Sequence, residues 1–300
     1  MTITMRSYTG DADRRRMLDL VAALPSHALR RSAEPFRLCS WALDNPANAQ
    51  LWEDSSGRLI GYAVLQHPWQ TFDLTTGGSQ PQIAAPAITW VIERAAAVAA
   101  MFDRPFRLFI DIRERDRTLA TLVQQAGFVS HDTFTLYLSR TLDDIIPVPQ
   151  VPLGYQLRLF AGTGEVDEFV RAHRAAFGAA MMTSAWRERM LQLPEYLPEL
   201  DVVAASSDGR IAAFCLGWLY PLQRIGQIDP IGVDPAFQHA GLAGAVLLEG
   251  LWRLQAHRAA VAQVVVYEED HAARTLFEAA GFRVDERAVT YMMEFRGHDD

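Results

Sequence analysis

Seven residues, Gln238-His239-Ala240-Gly241-Leu242-Ala243-Gly244, have the types and spacing to hold a phosphate without a lysine. An apolar run from Ile228 to Val233 precedes them and breaks at Asp234-Pro235, and helical spacing at Leu247, Leu248, Leu251 and Leu254 follows. Small residues let a backbone come close to a ligand, and a helix start aims unpaired N–H groups and the positive end of its dipole at one point. That point suits a phosphate or pyrophosphate. Other chemistries are excluded by what is missing: the 28 residues counted as Lys plus Arg are all Arg. Without the amine there is no Walker-type loop, no Schiff-base lysine and no pyridoxal chemistry. Cys39 and Cys215 are isolated in apolar surroundings, and the 8 histidines show no ligand spacing, so neither a disulfide framework nor a metal is expected.

The elements around the loop complete a pattern. A β-branched strand, Gln263 to Tyr267, is followed by an acidic helix start, Glu268-Glu269-Asp270, and by a helix end at Ala280-Gly281-Phe282. In this order the stretch from Ile228 to Phe282 resembles the Gcn5-related N-acetyltransferase (GNAT) superfamily. The resemblance implies acetyl-CoA as co-substrate, with its pyrophosphate on Gln238, His239, Ala240, Gly241, Leu242, Ala243 and Gly244. Ile231 and Val233 of the strand and Asp270, Ala273 and Phe277 of the helix would flank the rest. It further implies an acyl-CoA-dependent N-acyltransferase with a small-molecule amine acceptor.

The resemblance also assigns roles. A backbone N–H near Val233 would polarise the thioester carbonyl. The family's usual acid is a Tyr in a pattern L-Y-E, and here Leu276-Phe277-Glu278 lacks the hydroxyl, which leaves Tyr267, Tyr291 and Tyr220, with Tyr291 of the last strand placed in the site. The usual carboxylate position holds Gln227. Two residues on, and on the same face of an unbulged strand, Asp229 is the candidate base. His173 and His239 are further titratable candidates. A protein that kept the loop but lacked acid and base would be an acyl-CoA sensor, which stays open as the alternative.

The same plan occurs twice. Ser56-Gly57-Arg58 matches Asp208-Gly209-Arg210 at an offset of 152 residues, and Ala126-Gly127-Phe128 matches Ala280-Gly281-Phe282 at 154. The expected fold class is α+β, two tandem GNAT-like domains, each a mixed, mostly antiparallel sheet flanked by helices. The proline-spaced segment Ile145 to Pro152 reads as the connector. Residues 1–146 would be a degenerate copy, because Ala85-Pro86 stand opposite Gly241-Leu242 and add a Cβ and remove a donor. Gly77-Gly78 reads as a flexible turn. Residues 153–300 would bind acetyl-CoA, and the segment Gly178 to Trp186 would wall the acceptor site or pack the copies together.

Composition bounds the rest. Half the residues are hydrophobic and the formal net charge is -8, so a folded protein is expected, with no nucleic-acid partner and no membrane attachment. The start lacks an apolar core of signal-peptide length, and the stretch from Ile83 to Phe102 carries Glu93 and Arg94, so the expected place is the cytoplasm. Two copies in one chain can satisfy an interface that single-domain relatives form between chains, which leaves monomer or homodimer.

Overall fold

The computed structural model of the protein describes residues 2–29, 33–77, 81–101 and 105–296; Gly78, read above as part of a turn, lies outside them. The first half runs β1 (Ile3–Ser7), α1 (Asp11–Ala22), α2 (Glu34–Leu38), β2 (Ala49–Asp54), β3 (Leu59–Gln66), β4 (Thr71–Thr76), α3 (Pro81–Ala99), β5 (Phe106–Arg113), α4 (Arg117–Gln125) and β6 (Val129–Thr141). The second repeats it as β7 (Tyr155–Leu159), α5 (Val166–Phe177), α6 (Ser184–Leu191), β8 (Asp201–Ser206), β9 (Ile211–Tyr220), β10 (Ile225–Val233), α7 (Leu242–Ala256), β11 (Val261–Tyr267), α8 (His271–Ala279) and β12 (Arg283–Phe295). The second helix, α2, stops at Leu38. Ser40 and Asn45 each accept a backbone N–H two residues on, from Ala42 and Ala47, and so convert the rest into short 3₁₀ turns.

Among the described residues, all strands join one 12-stranded sheet in the order β1-β2-β3-β4-β5-β12-β6-β11-β10-β9-β8-β7. Pairing is antiparallel except between β4 and β5 and between β10 and β11. The last strand of each copy has crossed into the other. β6 pairs with β11 from Val261↔Thr141 to Tyr267↔Thr135, while β12 pairs with β5 from Ala288↔Arg113 to Phe295↔Phe106. The connector has no regular structure, but it is fastened: the Trp252 indole donates to the Ile146 carbonyl at 3.1 Å.

Both parallel pairs separate almost at once. β4 and β5 meet only at Thr71↔Phe109, and β10 and β11 only from Ile225↔Val261 to Gln227↔Gln263. Beyond Gln227, β10 bulges between Ile228 and Ile231 against β9. A bulge bends its strand and re-aims its side chains, and here it opens the edge of β10 away from β11.

Neighbouring residues of β9 pack on opposite faces of the sheet. Cys215 joins Leu247, Leu251 and Leu254 of α7 in one core. Phe214 joins Phe169 of α5 and Trp186 and Met190 of α6 in another, which also takes Ala33, Phe36 and Cys39 from the first half. Trp186 is buried at this seam, with its indole N–H donated to the Phe36 carbonyl at 3.1 Å. No helix among the described residues is long and apolar enough to cross a membrane.

Candidate active site

The separation of β10 from β11 opens a cleft of about 990 Å³. One wall is the freed edge of β10. The Asp234 N–H donates to Ala212 of β9 at 2.9 Å, so strand alternation turns the amides of Val233 and Ile231 the other way, toward the cleft. Asp234 holds the turn that follows: its carboxylate accepts from Ala236 N at 2.9 Å and pairs with Arg171 at 2.5 Å. The structural reason for the Asp-Pro break is therefore a side-chain cap.

The floor is the loop before α7. His239 at φ +64° and Gly241 at φ +78° take left-handed backbone, and Gly241 caps α7 without any side-chain bond. The first helical bond into this end runs from Ala245 N to Gly241 O, so the amides of residues 242–244 precede the ladder. A Cβ at Gly241 or at Gly244 would meet nothing within 4 Å. An uncapped helix start with open space over two glycines fits a diphosphate brought close to the backbone.

Of the residues expected to bind cofactor, Ile231, Val233, Gln238, His239, Gly241, Leu242, Ala243, Gly244, Asp270, Ala273 and Phe277 line this cleft, and the half-buried Ala240 packs against the hydrophobic core beside it. α8 is positioned by Asp270, whose side chain accepts from Ala273 N at 2.9 Å. Of the segment Gly178 to Trp186, Ala179 and Met181 reach the cleft, while Met182 and Trp186 belong to the seam between the copies.

Asp229 stands at the bulge and lines the cleft. The expectation of an unbulged strand carrying Gln227 and Asp229 on one face does not hold: the register shifts just past Ile228, and Gln227 is fully buried, its amide 3.5 Å from that of Gln263. The Asp229 backbone is pinned by the Trp218 indole at 2.7 Å, and its carboxylate accepts the Ala33 N–H at 3.1 Å. Burial pushes the carboxyl up to about 6, against smaller downward pulls from the Ala33 N–H and the charge of Arg37.

Tyr291 is placed elsewhere. It lies on β12 between Ile110 and Ser130, packed in the core of the first half, because β12 pairs with β5 rather than with its own copy. Tyr220 is likewise buried away from the cleft, with Tyr8 and Tyr62 in its cluster. Tyr267, at the end of β11, does line it. Although 55% exposed, its phenol is held above the ordinary range, first by burial and then by the charge of Asp111. His173 is buried against Phe214 with ring centroids 5.7 Å apart, and burial lowers it to about 4. Among the described residues no group of three acidic, histidine or cysteine side chains is arranged to hold a metal ion.

The wall facing Asp229 comes from the first half: Phe36, Arg37, Trp69, Thr71, Asp111 and Thr135. Sequence reasoning missed all of them. The one available signal was Arg37, a cation within the otherwise apolar run Pro35 to Cys39.

A strand edge of free amides, an uncapped glycine-led helix and a carboxyl raised toward neutrality meet in this one cleft. Residues 166–282 match the model of the acetyltransferase (GNAT) family. A mycothiol acetyltransferase of Frankia alni is 28% identical over 218 residues, 67% of this chain and 65% of that protein. One of Geodermatophilus obscurus is 27% identical over 256 residues, 76% of each. The chain spans less than two thirds of the Frankia protein, and 58% of a third relative, from Segniliparus rotundus. Among solved structures, a GCN5-related N-acetyltransferase from Sphaerobacter thermophilus superposes with a TM-score of 0.67 at 22% identity, over 99% of this chain and 98% of that one. A tandem GNAT protein from the clavulanic acid biosynthesis pathway gives 0.64 at 16%, over 100% of both. Most of the second copy thus matches the GNAT acetyltransferase family, and the fold of the whole chain is that of tandem GNAT proteins.

Proposed function

We propose that the chain is an acyl-CoA-dependent N-acyltransferase, in the first instance an acetyltransferase, acting on a small amine in the cleft of the second copy. The observation that carries this reading is Asp229, a carboxyl in the cleft between the freed amides of β10 and the wall of the first half, with burial holding it near pH 6. Bound acetyl-CoA would supply an activated thioester acyl group. The residues do the remainder. The loop from Gln238 to Gly244 holds the diphosphate, and the Val233 and Ile231 amides align and polarise the acyl oxygen. Asp229 takes the proton from the acceptor ammonium, directly or through a water, and Tyr267 keeps its own proton at neutral pH and can return one to the leaving sulfur.

The first copy supports a different role. Residues aligned with the phosphate loop, Gln82 to Pro86, are already helical in α3, so the aligned positions do not form a loop ahead of a helix. We assign residues 1–146 to walling the acceptor side. The alternative, an acyl-CoA sensor, is favoured by Gln227 and Phe277, neither of which can move a proton. Asp229 and Tyr267 in the same cleft weigh against it. That relatives matching up to three quarters of the chain carry the name mycothiol acetyltransferase supports acetyl transfer.

Titration with acetyl-CoA, for the parent and for Gly241→Asp, tests the cofactor site: binding lost in the variant is expected, and binding in neither protein defeats the reading. CoA release with a panel of amines then separates enzyme from sensor, since a sensor binds and does not turn over.

A further inference from the structure

The acceptor wall contains a cation built into place. Arg37 is 8% exposed. Its Nε donates to Asp73 Oδ2 at 2.7 Å, and its Nη2 donates to Asp73 Oδ1 at 2.9 Å and to Thr71 Oγ1 at 2.6 Å. Its guanidinium lies 4.2 Å from the centre of the Trp69 ring. These contacts use Nε and Nη2 and leave Nη1 as the guanidinium nitrogen without a partner among the described residues, on a side chain that lines the cleft. Asp73 stands in the first copy where Asp229 stands in the second, at the offset of 156 residues that aligns the two sheets. The two sites have diverged: the fully buried Asp73 anchors a cation, whereas the Asp229 carboxylate accepts, among the described residues, the Ala33 amide alone and lines the cleft.

From this we infer that the duplicated active-site position has become the acceptor-recognition element, and that the acceptor is an amine carrying a carboxylate, bound through Arg37 Nη1 while its amino group meets Asp229. This rests on the acyltransferase reading above. The two ends of the site match a zwitterion: an anionic Asp229 for the ammonium and a fixed, nearly dry guanidinium for the carboxylate, where a charge-assisted hydrogen bond is strongest. Charge from Arg37 already reaches Asp229 and Tyr267 across the cleft. Asp111, the other carboxylate of this wall, accepts the Thr290 hydroxyl at 2.7 Å. The pairing with Asp73 and the stacking on Trp69 hold the fork still, so little side-chain entropy is lost on binding.

The test is CoA release from acetyl-CoA with amino acids bearing one to five methylenes between amine and carboxylate, each beside its own carboxamide and the diamine of matching length. A preference in kcat/KM of about ten- to a hundredfold for the acid over its carboxamide is expected, the range of one charged hydrogen bond. In Arg37→Gln/Asp73→Asn, which removes both buried charges together, the preference should fall to about onefold while acetyl-CoA affinity is kept. Equal rates for acid and carboxamide in the parent, a diamine as the best acceptor, or an equal loss of acid and carboxamide turnover in a folded variant would each overturn the assignment and leave the acyltransferase standing. Failure of the parent to bind acetyl-CoA would defeat both.

Discussion

A carboxyl group that collects a proton from an ammonium ion works best with a pKa near the working pH, and in Asp229 burial supplies the shift. Activity should therefore rise with pH through about 6, as Asp229 ionises, until another group intervenes. In Asp229→Asn that limb should vanish and kcat/KM should fall by about 10²- to 10⁴-fold, with acetyl-CoA affinity unchanged. Stability should run the other way. A carboxyl whose folded pKa is raised binds its proton more tightly folded than unfolded, so the protein loses stability as pH rises from about 4 to about 6. Asp229→Asn should thus melt higher than the parent at pH 7, by about 1–2 kcal/mol once the partial exposure of the cleft is allowed for, and the difference should shrink at pH 4. A variant both less active and less stable at pH 7 would show that the carboxylate is structural. Tyr267→Phe should cost about 10²-fold in kcat with little change in melting temperature. That Asp229 would reach the cleft was legible in the sequence because it lies in the strand before the loop. Choosing Tyr267 over Tyr291 was not, because both read as strand aromatics and only the pairing partners distinguish them.

At the level of elements, the strand-loop-helix unit from β10 to α8 was readable nearly to the residue, since each boundary has a local cause: the Asp234 cap, the left-handed Gly241, and the Asp270 cap. The bulge in β10 was not readable, as it answers to the register of β9. Two glycines separate binding from folding. Gly241→Asp places a carboxylate at the helix start, where a Cβ meets open space, so acetyl-CoA affinity should drop by at least about tenfold, while the left-handed backbone, which aspartate tolerates better than most residues, costs about 1 kcal/mol of stability. Gly232→Ala is the converse. Its Cβ would lie 2.6 Å from Phe214 Cζ and 2.9 Å from Ala176 Cβ, where β10 meets the end of α5. Overpacking there should cost about 1–3 kcal/mol, read as a lowered melting temperature. An unchanged melting temperature would mean that α5 is free to move off the strand.

At the scale of the whole molecule, the repeat was visible in the sequence and the exchange of last strands was not. β6 and β12 are each 13 residues long and follow short helices of the same length, so pairing within a copy and pairing across copies satisfy the local pattern equally well. What differs is the joint. Across copies, β12 lies between β5 and β6, and β6 between β12 and β11, so no strand edge is exposed where the halves meet. Arg140 of β6 adds a tie by donating to the Ala280 carbonyl at the end of α8. The connector from Ile145 to Pro152 is therefore not what keeps the copies together. Cutting it at an engineered protease site should leave a particle that elutes as the uncut chain does, unfolds in one transition and retains acetyl-CoA binding. Residues 153–300 expressed alone should fail on all three counts, because β11 and β12 lose β6 and expose two apolar edges. Separation of the cut halves under native conditions would show that the exchange contributes little, and would return each copy to an independent fold.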